Sequence, residues 1–87
     1  MPYAVLLTPE ARDDLAQLDD SIRSRLLDKL EWIGNNADYL RHEALQGDTW
    51  RDCYRYRVGD YRVIYRLQQS RSRLIVLRLA HRREVYR

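Results

Sequence analysis

Only one cysteine, Cys53, occurs among the 87 residues. No intrachain disulfide can form, and a reducing compartment is the simplest reading. Long apolar runs are missing too. The stretch AVLL near the N-terminus is too short for a signal h-region, and nothing approaches the roughly 18–20 apolar residues of a membrane span. A cytoplasmic protein with no membrane partner is therefore expected. Metal-ligating residues are sparse: besides Cys53 there are His42 and His81, far apart in sequence, and few carboxylates in the second half. Neither a metal nor a cofactor is expected. Repeats, linkers and low-complexity segments are absent, and 87 residues leave room for one modest core. One domain spanning residues 1–87 follows. Hydrophobic residues make up 45% of the chain, well above a disordered composition.

Lysine is nearly absent as well. Of 16 basic residues 15 are arginine, and Lys29 is the exception. Arginine offers a planar fork of donors that suits phosphate and stays charged at any workable pH. A GC-rich genome would also favour arginine codons, but it would not place them. Residues 1–40 carry a net charge of −4 and residues 41–87 a net charge of +7. A basic half of this kind points to a polyanionic partner, nucleic acid first.

The pattern predicts a short strand over Tyr3–Leu7, then Thr8 as a helix N-cap with Pro9 in the first turn. Ala11, Leu15 and Leu18 share one helical face, Asp19-Asp20-Ser21 supplies a second N-cap, and Ile22, Leu26, Leu30 and Ile33 form the next apolar stripe. Gly34-Asn35-Asn36 ends that helix. Residues 37–47 read as a polar connection. From Thr49 the period becomes two: Trp50, Asp52, Tyr54, Tyr56 and Val58 face one way, Arg51, Cys53, Arg55 and Arg57 the other. Gly59-Asp60 is a two-residue hairpin loop. Leu74–Ala80 forms a last strand, with Ile75, Leu77 and Leu79 directed to the core and Leu74, Val76, Arg78, Ala80 and Arg82 opposite. The order β-α-α-β-β-β predicts an α+β fold, a helical hairpin packed on one face of a mainly antiparallel sheet.

A loop at 59–60 pairs Val58 with Tyr61, Arg57 with Arg62, Tyr56 with Val63, Arg55 with Ile64 and Tyr54 with Tyr65. One face of the hairpin is then Tyr and Val. The other sets Arg57 directly against Arg62, which costs a few tenths of a kcal/mol to about 1 kcal/mol unless solvent or an anion screens it. Arg82 can fall on the same side. With the tail HRREVYR, these arginines, His81 and a terminal tyrosine could hold RNA phosphate and stack a base. A lone terminal tyrosine is otherwise more often a packing residue.

The stretch YRYRVGDYRVIYRL, preceded by ALQG at 44–47 and followed by LIVLRLAHRREVYR, resembles the RelE/ParE superfamily of bacterial type II toxin–antitoxin toxins over nearly the whole chain. The resemblance to the RelE-like branch implies a ribosome-dependent mRNA endoribonuclease that cuts in the A site and inhibits translation. ParE-like members share the fold and inhibit DNA gyrase without cleavage. Carried onto this sequence, the catalytic places fall on Arg55, Arg57, Arg62, Arg82 and Tyr86, with Arg83 an alternative to Arg82. Arg51, Arg66, Arg78, His81 and Arg83 would assist RNA binding. Lysines are usual in the first two places, so arginines there are a departure. Arginine does not deprotonate near neutrality; weight as general base shifts to Tyr86, with His81 in reserve. The implied chemistry is 2′-hydroxyl transesterification without a metal. The implied partners are a cognate antitoxin protein, acidic and covering the basic face or displacing part of the toxin, and the ribosome with its mRNA. Operator DNA would be engaged only through the antitoxin complex.

Overall fold

Thr8 begins the first helix in the way its sequence position requires. In the computed structural model, which describes residues 2–84, its backbone is extended and its Oγ1 accepts the Ala11 N–H at 3.1 Å. The strand β1 (Ala4–Leu7) leads into this cap, and α1 runs Pro9–Ala16. The second helix, α2 (Asp20–Asn35), turns back at once. Arg23 clamps the turn: its guanidinium donates to the Leu15 and Leu18 carbonyls at 3.0 and 2.6 Å and to Asp20 at 2.9 Å, tying the end of α1 to the start of α2. Asp19 occupies the N-cap position of α2 without a side-chain cap bond. Asn36 closes the helix, donating from Nδ2 to the Trp32 carbonyl at 2.8 Å.

Five strands form one sheet in the order β1-β5-β4-β3-β2. They are β2 (Glu43–Ala44), β3 (Tyr54–Val58), β4 (Tyr61–Gln68) and β5 (Arg73–His81), with β1 parallel to β5 and the rest antiparallel. The hairpin register is the predicted one, from Val58 opposite Tyr61 to Tyr54 opposite Tyr65. Gly59 takes φ 60°, the left-handed first position that a Gly-X hairpin turn demands.

Both helices cover one face. Ala11, Leu15, Leu26, Leu30 and Ile33 pack there on Val58, Val63, Tyr65, Leu74, Val76 and Leu79. Each such fully buried aliphatic side chain contributes roughly 1.5–3 kcal/mol relative to exposure. At Gly34 the helix lies against β1 so closely that an added Cβ would stand 2.8 Å from the Tyr3 carbonyl oxygen. The Tyr3 N–H donates to the Gly34 carbonyl at 2.9 Å.

Three elements differ from the sequence expectation. β2 is a two-residue strand inside the stretch read as connection, and it pairs Glu43 with Arg55. β3 begins at Tyr54, because Asp48–Trp50 forms a 3-10 turn and Asp52 takes φ 61°. Trp50 therefore crosses to the outer face and packs with Leu45 and Leu77 on Cys53, Ile64 and Ala80. β5 contains a bulge: Ile64 lies opposite Arg78 and Tyr65 opposite Val76, leaving Leu77 as the extra residue. The phase therefore reverses along the strand. Leu74 and Val76 join the helix-covered core and Leu77 sits on the outer face, whereas beyond the bulge Leu79 and Ala80 keep their expected sides.

Candidate nucleic-acid interface

The outer face of the hairpin divides in two. Cys53, Ile64 and Ala80 form an apolar patch roofed by Trp50, Leu45 and Leu77. The remainder, toward β2 and the hairpin tip, carries Glu43, Arg55, Arg57 and Arg62 in cross-strand register. Their direction follows from the two-residue period of β3 and β4, whose alternate Tyr and Val side chains are held in the core.

Arg55 is half-buried and meets Glu43 Oε1 at 2.5 Å. That bond is the largest cause holding the Glu43 carboxyl below its ordinary acidity range. Partial desolvation opposes it, and the charges of Arg55, Arg57 and Arg62 reinforce it. The register sets Glu43 across from Arg55 and Arg57 across from Arg62, so the four groups share one sheet face. Arg57 is exposed and stands directly across from Arg62. Arg62 is half-buried and folds over the turn, with Nη1 at 3.4 and 3.3 Å from the Gly59 and Tyr61 carbonyls. These are long bonds, easily exchanged for a phosphate oxygen.

The chain after β5 returns to the same place. The Arg82 N–H donates to the Asp60 carbonyl at 2.8 Å, fastening the segment beyond β5 to the hairpin tip. Arg83 is exposed, and its N–H donates to His81 Nδ1 at 3.2 Å. His81 is opposite Tyr61, its ring edge-on at 5.7 Å, which turns it to the helix side and away from the arginine patch. Tyr86 lies outside the described residues.

The other predicted RNA contacts are dispersed. Arg66 is exposed farther along β4, with Nη2 3.7 Å from Cys53 Sγ. Arg51 sits on the covering loop, 4.0 Å from Asp48. Arg78 was expected on the face opposite the core and lies in register with Ile64 there, but its guanidinium is engaged by α1 at the strand edge. There its Nε and Nη2 hold Asp14 at 2.8 and 3.3 Å, while Asp14 also accepts the Leu79 N–H at 2.9 Å. That carboxylate raises the Arg78 pKa further, and it covers strand edge left open where β1 ends.

Glu43 was passed over in the sequence, where it is one acidic residue in a basic half. The two-residue strand that positions it carries no periodic signal. His42, its neighbour, links the core to this segment. The Tyr65 hydroxyl donates to His42 Nδ1 at 2.5 Å, and Nε2–H donates to the Ala37 carbonyl at 2.7 Å. Burial pushes the Tyr65 pKa well above the usual phenol range.

A helical hairpin on one face of a mainly antiparallel five-stranded sheet is the architecture of RelE-type toxins, and solved structures of that class superpose on it. A RelBE toxin–antitoxin complex from Mycobacterium tuberculosis matches with a TM-score of 0.83 at 24% identity, over 93% of this chain and 92% of that one. A RelE–RelB complex from Pyrococcus horikoshii matches at 0.76 and 26% identity, over 98% and 100%. The curated Toxin RelG of M. tuberculosis is 30% identical over 91 residues, covering 100% of this chain and 99% of that protein. The sequence model described as the ParE toxin of the type II toxin–antitoxin system parDE matches residues 5–86. The chain belongs to this ParE toxin family, and so to the RelE/ParE superfamily of type II toxin–antitoxin toxins.

Proposed function

We propose that this toxin is a ribosome-dependent endoribonuclease that cuts mRNA in the A site and so arrests translation. The observation that carries the reading is the alignment of Arg55, Arg57 and Arg62 on one sheet face, with Arg55 bonded to Glu43. Arg82 is tethered beside them at the hairpin tip. In this reading the ribose 2′-oxygen attacks the adjacent phosphorus, the bond to the 5′-oxygen breaks, and a 2′,3′-cyclic phosphate and a 5′-hydroxyl result. Arg57 and Arg62 stabilise the extra charge on the phosphorane. Arg55, braced by Glu43, fixes the phosphate. The 2′-proton goes to Tyr86, since arginine stays protonated near neutrality and cannot take it. Glu43 is ionised at neutral pH but too weakly basic to take the main part. Arg82, or Arg83, hydrogen-bonds the leaving 5′-oxygen and keeps its own proton, the 5′-hydroxyl taking its proton from solvent water.

A cognate antitoxin is part of the proposal, since related toxins are solved as RelB–RelE complexes. An acidic segment over the arginine patch would neutralise it, and operator DNA would be met only through that complex. Because the mRNA target is in the ribosome, the proposed compartment is the cytoplasm. Among the described residues no helix is long and apolar enough to cross a membrane.

Primer extension on mRNA from induced cells tests the reading. Discrete new ends are expected, lost on Tyr86→Phe and reduced about 100-fold by Arg62→Ala. Intact messages in arrested cells would refute it. The family match to a ParE toxin favours a second reading, gyrase inhibition without cleavage. Purified protein would then block supercoiling, and messages would stay whole.

A further inference from the structure

A second basic feature lies around the hairpin tip from the arginine patch. Between α2 and the end of β3 runs a groove of about 460 Å³, lined by Arg25, Lys29, Trp32, Tyr56 and Arg57, with Asp28 at its side. Its volume falls in the range of small-molecule sites. Trp32 is 41% exposed, unusual for the largest apolar side chain. Its ring stands 6.3 Å from that of Tyr56, tilted by 56°. The Lys29 ammonium hangs 4.1 Å from the Trp32 ring centroid and 5.4 Å from that of Tyr56. Arg25 lays its guanidinium on the turn, its Nη2 3.0 Å from where a Gly59 Cβ would be.

We propose that this groove binds a single-stranded RNA nucleotide flanking the one on the arginine patch, its base against Trp32 and its phosphate between Arg25 and Arg57. Two features make the groove continuous with the patch. Arg57 lines the groove and stands across from Arg62 on the patch, so it borders both. Arg25 and Arg62 approach the same turn residue, Gly59. A strand leaving the patch therefore meets guanidinium groups at the tip and then exposed rings. Arginine and lysine alone would suit any polyanion. Exposed aromatic faces beside them select a polyanion that carries stackable bases.

The inference rests on the reading that the patch holds RNA, and its test separates the two. Trp32 and Trp50 are the only tryptophans, and Trp50 packs on the opposite sheet face. Trp50→Phe protein is titrated with 2′-O-methyl hexauridylate, which cannot be cut, while Trp32 emission is followed. Wild-type protein compared with Trp32→Tyr gives the same signal by difference should Trp50→Phe melt early. Saturable quenching is expected, weakening with salt and about tenfold weaker in affinity for Lys29→Glu and for Arg25→Glu. Unchanged Trp32 emission at saturating RNA overturns the groove even if cells show cleaved messages. Equal quenching by hexaglutamate also overturns it, assigning the groove to an acidic protein segment. Quenching by RNA in a protein that cuts no message supports the groove and refutes the nuclease reading alone.

Discussion

Glu43 holds Arg55 as a phosphate would, and a nucleic acid must compete with it. The carboxylate bonds to Arg55 and attracts Arg57 and Arg62 as well. Glu43→Gln removes that competitor while keeping the shape. Oligonucleotide affinity is expected to rise several-fold at low salt, with a steeper salt dependence, because the carboxylate no longer offsets the positive charge of the patch. Fluorescence anisotropy at two salt concentrations measures both. The same gain is expected in the unaltered protein on acidification. Since the Glu43 pKa is lowered from 4.5, it appears only below that value. Tyr65 gives the opposite sign. Its folded pKa is raised above the ordinary 10.0, so its contribution is complete below pH 10 and is lost as pH rises beyond it. Tyr65→Phe leaves half-buried His42 Nδ1 without its donor and should cost about 1–3 kcal/mol in urea unfolding at neutral pH.

The elements differ in how far the chain announces them. The β3–β4 hairpin was legible because a strict alternation and a Gly-Asp turn agree on one register, and all its information is local. The helical hairpin was legible from Thr8-Pro9 and two apolar stripes. The β5 bulge was not, because its cause is remote. Thr8 Oγ1 donates to the Leu77 carbonyl at 3.1 Å and Asp14 takes the Leu79 N–H, partners more than sixty residues away. The register that sets Arg57 against Arg62 was legible on the hairpin, while the place of Glu43 and the Asp14 contact of Arg78 needed the three-dimensional arrangement. Asp14→Ala should therefore destabilise by about 1–3 kcal/mol, leaving a strand N–H and a guanidinium without their acceptor. Gly34→Ala tests the contact of α2 with β1. In an open helix position alanine would gain about 0.8–1 kcal/mol. Here the Tyr3 carbonyl blocks the Cβ, so a net loss in denaturant midpoint is expected.

On the scale of the whole molecule, charge and topology act together. The acidic first 40 residues build β1 and the helical hairpin, and the basic remainder builds β2 to β5. The outer face and hairpin tip therefore gather the arginines, while the two helices and the turn between them carry seven of the 13 carboxylates. A rigid field of this kind steers a polyanion toward one side and repels it from the other. If an acidic antitoxin segment and RNA both answer to that field, they compete for the same arginines. Its association rate with the purified antitoxin should fall at least tenfold between about 50 and 500 mM salt, whereas dissociation changes little. Antitoxin should also displace a labelled oligonucleotide stoichiometrically. Stopped-flow mixing and anisotropy competition measure the two effects. A stable ternary complex, with RNA still bound at saturating antitoxin, would place the antitoxin elsewhere and require it to act by deforming the patch rather than covering it.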